Sequence, residues 1–228
     1  VSNSGSGNDL QLALTLGATQ TILNNSELTL SGGVAIAGFD LTFAGNGTTQ
    51  VNSAITGAGN LIQQNGTTVL AVANSYDGTT TVTGGTLRVL DAQALGVGDG
   101  TAATETILNG GSLVLGAGLT MPAGERLHAT GPGDAYSYLT GEGAGSTWGG
   151  DVLLEAASGY SLYLDLQGTL TIQGAIVDAG SGVNQLSTNG SATLNDDVAV
   201  DYLSVGYYSS LFVNANTTVT TGFYGNYS

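Results

Sequence analysis

Short apolar runs alternate along the chain with segments rich in Gly, Asn, Ser and Thr. Residues 10–16 follow a period of two, which places four leucines on one face and predicts one half-buried strand. β-Branched residues favour strands, while Gly, Asn and Asp favour turns, so the pattern predicts an all-β fold. Further short strands are predicted at residues 28–30, 41–43, 61–62, 69–72, 79–82, 87–90, 113–115, 162–166, 170–172 and 211–213.

The spacing of the turns favours a solenoid over a β-sandwich. The predicted core positions are nearly all Leu, Val, Ile and Ala, without the large aromatic anchors of a typical sandwich. A Gly-Gly corner followed by a small residue and Leu occurs at positions 84–87 and again at positions 110–113. The distance between the two corners suits a coil of three short strands. Coils stacked ~4.8 Å apart favour ladders of Asn, Thr and aliphatic residues and disfavour stacked charges.

The segment 54–96 resembles the passenger-associated β-strand repeat of bacterial autotransporter-type surface proteins. The matching residues are Thr56-Gly57-Ala58-Gly59-Asn60-Leu61, Asn65-Gly66-Thr67-Thr68-Val69-Leu70, Asn74-Ser75-Tyr76-Asp77-Gly78-Thr79-Thr80-Thr81-Val82 and Gly84-Gly85-Thr86-Leu87. The resemblance extends over about residues 21–180 and fades on both sides. It implies a right-handed parallel β-helix that a Gram-negative-type bacterium secretes or displays on its surface, with adhesive, spacer or scaffolding roles. Members of this family normally continue into a membrane-embedded translocator, which we expect to be absent from this chain or removed.

The composition narrows the range of partners. Hydrophobic residues make up 41% of the 228 residues and charged residues only 8%, which predicts a folded core rather than disorder. The net charge is −15, and Arg88 and Arg126 are the only basic residues apart from one His. Nucleic acid and direct membrane insertion are therefore not expected, because no basic patch can form and no apolar run reaches ~18 residues. The absence of Cys fits a secreted protein.

These observations predict one right-handed parallel β-helix of about ten coils, ~50 Å long at ~4.8 Å per coil. Residues 1–9 are expected to be a flexible segment and residues 10–182 to form the β-helix with passenger-type repeats. Residues 183–228 are expected to form Tyr-rich coils of the same solenoid, since nine of the ten tyrosines lie at or after Tyr136.

Two groups of residues are candidates for metal or acid–base chemistry. His128 is the only histidine and has no sequence partners that would complete a metal or nucleophile site, so it is interpreted as a structural or surface residue. Asp196, Asp197 and Asp201 form the densest acidic cluster. Asp197 and Asp201 would lie ~13 Å apart on one side of a strand, so a Ca²⁺ site would need oxygens from neighbouring coils. No other cofactor is predicted.

Trp148, Tyr160 and Tyr163 are candidates for a carbohydrate-stacking surface, although such residues more often buttress a coil. A β-helical polysaccharide-degrading enzyme would need paired carboxylates or a base beside a bound cation. Arg88 and Asp165 both alternate with aliphatic residues and are predicted to point outward into solvent. No catalytic residue is therefore predicted.

Three classes of function remain open at this point. The first is a non-catalytic extracellular rod that associates head to tail into a filament or surface layer, because solenoid ends expose unpaired strands and apolar faces. The second is an adhesin that binds carbohydrate or a host surface. The third, least favoured by the residues present, is a β-helical enzyme.

Overall fold

The computed structural model describes residues 2–3, 7–131, 133 and 135–225. Residues 1 and 4–6 of the predicted flexible segment, and the last three residues of the Tyr-rich segment, lie outside this part of the chain. The strands are β1 (Ser2–Asn3), β2 (Asn8–Leu10), β3 (Leu14–Thr15), β4 (Gln20–Asn24), β5 (Glu27–Leu30), β6 (Val34–Ala35), β7 (Leu41–Ala44), β8 (Thr48–Val51), β9 (Ile55–Gly57), β10 (Leu61–Gln63), β11 (Thr67–Leu70), β12 (Ser75–Tyr76), β13 (Thr80–Val82), β14 (Thr86–Val89), β15 (Thr106–Leu108), β16 (Ser112–Leu115), β17 (Leu127–Gly131), β18 (Ala135–Trp148), β19 (Val152–Ala156), β20 (Ser161–Ile172), β21 (Ile176–Asp178), β22 (Val183–Leu194), β23 (Val198–Val205), β24 (Ser210–Val213) and β25 (Thr217–Gly225).

Strands of successive coils pair in parallel, which confirms the predicted all-β solenoid of about ten turns. One coil carries the chain from Gln20 to its partner Leu41, and a later coil carries it from Leu61 to Thr80. The coil predicted from the two Gly-Gly corners is also present, because Leu87 pairs with Leu113. Over the described residues, one continuous 21-stranded sheet winds around the coil, and β3, β6, β9 and β12 form a separate four-stranded sheet.

The core is a set of columns in which aliphatic side chains from successive coils lie one above another. One column contains Leu30, Val51, Leu70, Val89 and Leu115, each at most 1% exposed. Burying a side chain of this size stabilises the fold by roughly 1.5–3 kcal/mol relative to leaving it in water. The columns therefore hold neighbouring coils together along the whole axis.

The prediction of a single strand over residues 10–16 is wrong. β2 ends at Leu10 and β3 begins at Leu14, while Leu12 between them is 74% exposed. The chain turns a corner here, and the amide of Gly32 in the next coil donates a hydrogen bond to the carbonyl of Leu10. The alternating pattern in the sequence therefore runs across a corner of the solenoid. A corner needs only a few non-extended residues, so it did not interrupt the pattern.

In the later coils the strands are longer and bend at a column of glycines. Gly141 pairs with Gly168, and Gly168 pairs with Gly190. Gly168 has a positive φ of 70°, and a Cβ atom there would lie 2.1 Å from the carbonyl oxygen of Gly141. Only glycine fits this approach. The column lets β20 and β22, of 12 residues each, continue around the bend as single strands.

In the part of the chain that the structure describes, there is no helix long and apolar enough to cross a membrane.

Candidate ligand-binding face

The outward side of β18, β20 and β22 carries tyrosines next to amide and carboxylate side chains. Parallel pairing aligns Tyr136 with Tyr163, Tyr138 with Asp165, and Gln167 with Asn189. Inward positions of the same strands, such as Leu139 and Leu166, are buried in the core. Alternation along each strand therefore sends these polar and aromatic groups to one surface. The tyrosine–amide face is defined as Tyr136, Tyr138, Tyr163, Asp165, Gln167 and Asn189.

The two tyrosines at one end of this face stack on each other. The ring centroids of Tyr136 and Tyr163 are 4.4 Å apart, and the ring planes differ by 5°. Tyr136 is 57% exposed. More than half of the Tyr136 side chain is therefore accessible to solvent.

Asp165 is the only carboxylate of the tyrosine–amide face and is held by hydrogen bonds. Its Oδ1 accepts a bond from Ser187 Oγ at 2.9 Å, and its Oδ2 accepts from Gln167 Nε2 at 3.0 Å and from Asn189 Nδ2 at 2.8 Å. Asp165 faces outward, as predicted, but these neighbours leave it only 8% exposed. The bonds hold the uncharged amides of Gln167 and Asn189 around a single negative charge.

The three aromatic residues predicted to form a stacking surface are not brought together. Trp148 is fully buried, so its assignment to an exposed surface is wrong. It lies at an inward position of β18 and pairs with Ile172, where the coil interior accommodates the large indole. Tyr160 lies in the loop before β20 and is 46% exposed, and Tyr163 belongs to the tyrosine–amide face. Ligand binding by Tyr160 and Tyr163 stays a prediction.

His128 lies in a cluster of polar and charged side chains that joins three coils. Its Nδ1 is 3.0 Å from Glu105 Oε1, and Glu105 Oε2 is 3.3 Å from Arg126 Nε. Its Nε2 is 2.7 Å from Glu155 Oε2, although the angle of this contact departs from that of a hydrogen bond. Both ring nitrogens thus face carboxylates, which agrees with the interpretation of His128 as a structural residue.

The carboxyl group of Glu125 lies inside the coil. Glu125 is 2% exposed, and its Oε1 accepts a hydrogen bond from Thr106 Oγ1 at 2.7 Å. Burial raises its pKa to about 8, and the Thr106 bond offsets this rise only in part. Tyr76 is also fully buried, with its hydroxyl 2.5 Å from Thr80 Oγ1. These polar groups satisfy one another within the core and have no exposed face.

The acidic residues considered for Ca²⁺ do not converge. Asp196 accepts a hydrogen bond from the Asp197 amide, Asp197 accepts from Asn216, and Asp201 accepts from the Asn184 amide and from Thr220. Within the described ranges, no group of three or more His, Cys, Asp or Glu residues is placed to hold a metal ion.

Comparison with known proteins supports the resemblance at a coarse level. The chain is similar to the autotransporter adhesin BmaC of Brucella suis biovar 1 (strain 1330), with 33% identity over 183 residues. The aligned part is 78% of this chain and 4% of that protein, so the chain spans a small fraction of its relative. No protein-family model matches the chain, and no solved structure matches it. The similarity therefore points to an autotransporter adhesin relative without identifying a particular repeat family.

Sequence reasoning overlooked the partners of His128 and the stacking of Tyr136 on Tyr163. Glu105 lies about one coil before His128 in the sequence, and Glu155 lies about one coil after it. Tyr136 and Tyr163 are likewise separated by one coil. A search for chemically matched residues at roughly coil-length spacing would have included both sets of partners among its candidates.

Proposed function

We propose that this chain is a segment of a surface-displayed passenger of an autotransporter-type adhesin, and that it serves as a non-catalytic rod on the outside of a Gram-negative bacterium. The observation that carries the proposal is the parallel register that continues from β1 to β25. A solenoid of this kind presents a long surface whose residues are fixed coil by coil. The similarity to an adhesin autotransporter supports the same reading.

The side-chain chemistry supports a non-catalytic role. His128 faces two carboxylates, and Arg88 forms a bidentate pair with Glu142, with Nε–Oε1 at 2.9 Å and Nη2–Oε2 at 2.5 Å. Catalysis by acid and base groups needs a side chain held ready for a substrate in an accessible cleft. These groups are instead paired with one another across coils.

Surface display is tested on intact cells of the source bacterium. Antibodies raised against the folded chain should label unpermeabilised cells, and an external protease should remove the label. A cytosolic protein serves as the control for cell integrity. Labelling that requires permeabilisation would refute the proposal.

A second candidate function is head-to-tail association of copies of the chain. It is supported by apolar hollows near the two ends of the described solenoid, one lined by Leu14, Leu16, Ile22, Val34 and Leu41 and the other by Leu203, Val205, Leu211, Val213 and Val219. A contact between two different ends repeats without closing and yields a linear polymer.

Sedimentation of the purified chain over a hundredfold range of concentration tests this association. We expect the mean mass to rise with concentration and Leu14→Asp to abolish the rise. Leu12→Asp is the matched control, because Leu12 already lies in solvent. A constant monomer mass at high concentration would exclude the polymer and leave the first proposal intact.

A further inference from the structure

We infer that the tyrosine–amide face is a binding site for neutral oligosaccharides, with the accessible Tyr136 ring as the stacking surface. The inference rests on the proposed adhesin function and gives it a site and a ligand class. It places one sugar ring against Tyr136 and the next over Tyr138 and the amides of Gln167 and Asn189.

The stacked tyrosines make this surface rigid before any ligand binds. Tyr163 supports Tyr136 from the next coil, at the 4.4 Å separation and 5° angle of a parallel stack. A ring held in this way loses little conformational freedom on binding, which favours affinity. Tyrosine also combines an apolar ring with a polar hydroxyl, as the CH and OH groups of a sugar require.

The polar part of the face lies within reach of the same ligand. Tyr163 and Asp165 occupy successive outward positions of β20, which corresponds to ~6.6 Å along the strand. The Asp165 carboxylate orients Gln167 Nε2 at 3.0 Å and Asn189 Nδ2 at 2.8 Å. Amide groups both donate and accept hydrogen bonds, so they suit the hydroxyls of a sugar.

Charge selects the class of oligosaccharide. The face contains one carboxylate and no cationic side chain, and the whole chain carries a net charge of −15. Sialylated, sulfated or uronic-acid glycans would be repelled, since they bind where Arg or Lys can neutralise them. Neutral hexose and N-acetylhexosamine oligomers meet no such penalty.

The test measures binding of the purified chain to immobilised neutral oligosaccharides and to matched sialylated and uronic-acid oligosaccharides. We expect binding to at least one neutral series. Tyr136→Ala should weaken this binding at least tenfold, and Tyr136→Phe should change it less than threefold because the ring remains. Phe212→Ala is the control, since Phe212 is 59% exposed on a different face, in β24. Circular dichroism establishes that each variant is folded.

The following outcomes would contradict the inference. Binding to acidic glycans alone, binding that survives Tyr136→Ala, or no binding to any neutral oligosaccharide at millimolar concentration would overturn it. Concentration-dependent self-association that Tyr136→Ala abolishes would assign the face to a second copy of the chain instead. Surface labelling of intact cells is independent of these results, so the inference can fail while the proposed function stands.

Discussion

The early and late coils fill the same position of the solenoid in different ways. In the early coils one column consists of Leu30, Val51, Leu70, Val89 and Leu115. In the late coils the column continues as Gly141, Gly168 and Gly190, beginning where Leu115 pairs with Gly141. The early coils use short strands and a separate four-stranded sheet, whereas the late coils use strands of 12–14 residues that bend at glycine.

This difference shows that one architecture tolerates two kinds of corner. A corner with an inward aliphatic side chain is stabilised by burial, and a corner made of glycine is stabilised by close backbone approach. The second kind lets a single long strand continue around the bend. The tyrosine–amide face lies on those long strands, so the change of corner and the candidate site occur in the same coils.

The largest expected effect comes from breaking the aliphatic column. Leu70→Ala removes a side chain that is 0% exposed and leaves a cavity between two coils. We expect it to lower the free energy of unfolding by about 2–5 kcal/mol, measured by urea denaturation. Leu12→Ala, at a position that is 74% exposed, should change it by less than about 0.5 kcal/mol. Equal losses in the two variants would contradict the assignment of this column to the core.

The glycine column is tested by adding a single methyl group. Gly168→Ala combines a positive φ with a Cβ that would lie 2.1 Å from the Gly141 carbonyl oxygen, and we expect it to cost about 3 kcal/mol. Gly159→Ala is the matched control, because its φ is 83° but no atom lies within 4 Å of the added Cβ. It should cost only about 1–2 kcal/mol. If both variants melt at the same temperature, backbone approach is not what selects glycine.

Glu125 lies near the boundary between the two regions and should make stability depend on pH. Its pKa is raised from 4.5 to about 8, so the folded state holds this proton more tightly than the unfolded state does. Its contribution to stability should therefore fall as the pH rises from about 4.5 to 8, by at most about 1.4 kcal/mol per pH unit. Glu125→Gln should flatten this slope when denaturation is measured at pH 5 and pH 9. A variant with the slope of the original chain would show that other groups cause it.

The smallest expected effect concerns an ion pair that spans the boundary. Arg88 and Glu142 lie far apart in sequence, and both side chains are 34% exposed. Because solvent screens such a pair, Arg88→Ala should lower the free energy of unfolding by less than about 1 kcal/mol, and added salt should reduce the loss. Arg126→Ala should cost more, since it leaves the buried Glu105 with one partner fewer. The reverse order would contradict this ranking.

Much of the fold was predictable because it depends on local patterns. The stacking of Leu87 on Leu113 followed from the Gly-Gly corner that precedes each of these leucines. The exposure of Leu12 and the burial of Trp148 were not predictable. Both depend on which residue of a short run falls at a corner, and a shift of one residue exchanges inside and outside. The candidate site was predicted only through Tyr163, since the stacking of Tyr136 on it depends on the register of two coils.

The alternation of short apolar runs with glycine-rich turns determined by itself that the chain forms β-strands, and the repeat distance determined that they stack as coils. The composition also determined that no extended basic surface can exist. The tertiary structure alone decided which polar groups meet, because the coils differ in length: the step from Leu61 to Thr80 is shorter than the step from Leu87 to Leu113. Two residues in adjacent coils become neighbours only when their separation in sequence matches the length of that particular coil. This is why Tyr136 lies on Tyr163 and His128 lies between two glutamates.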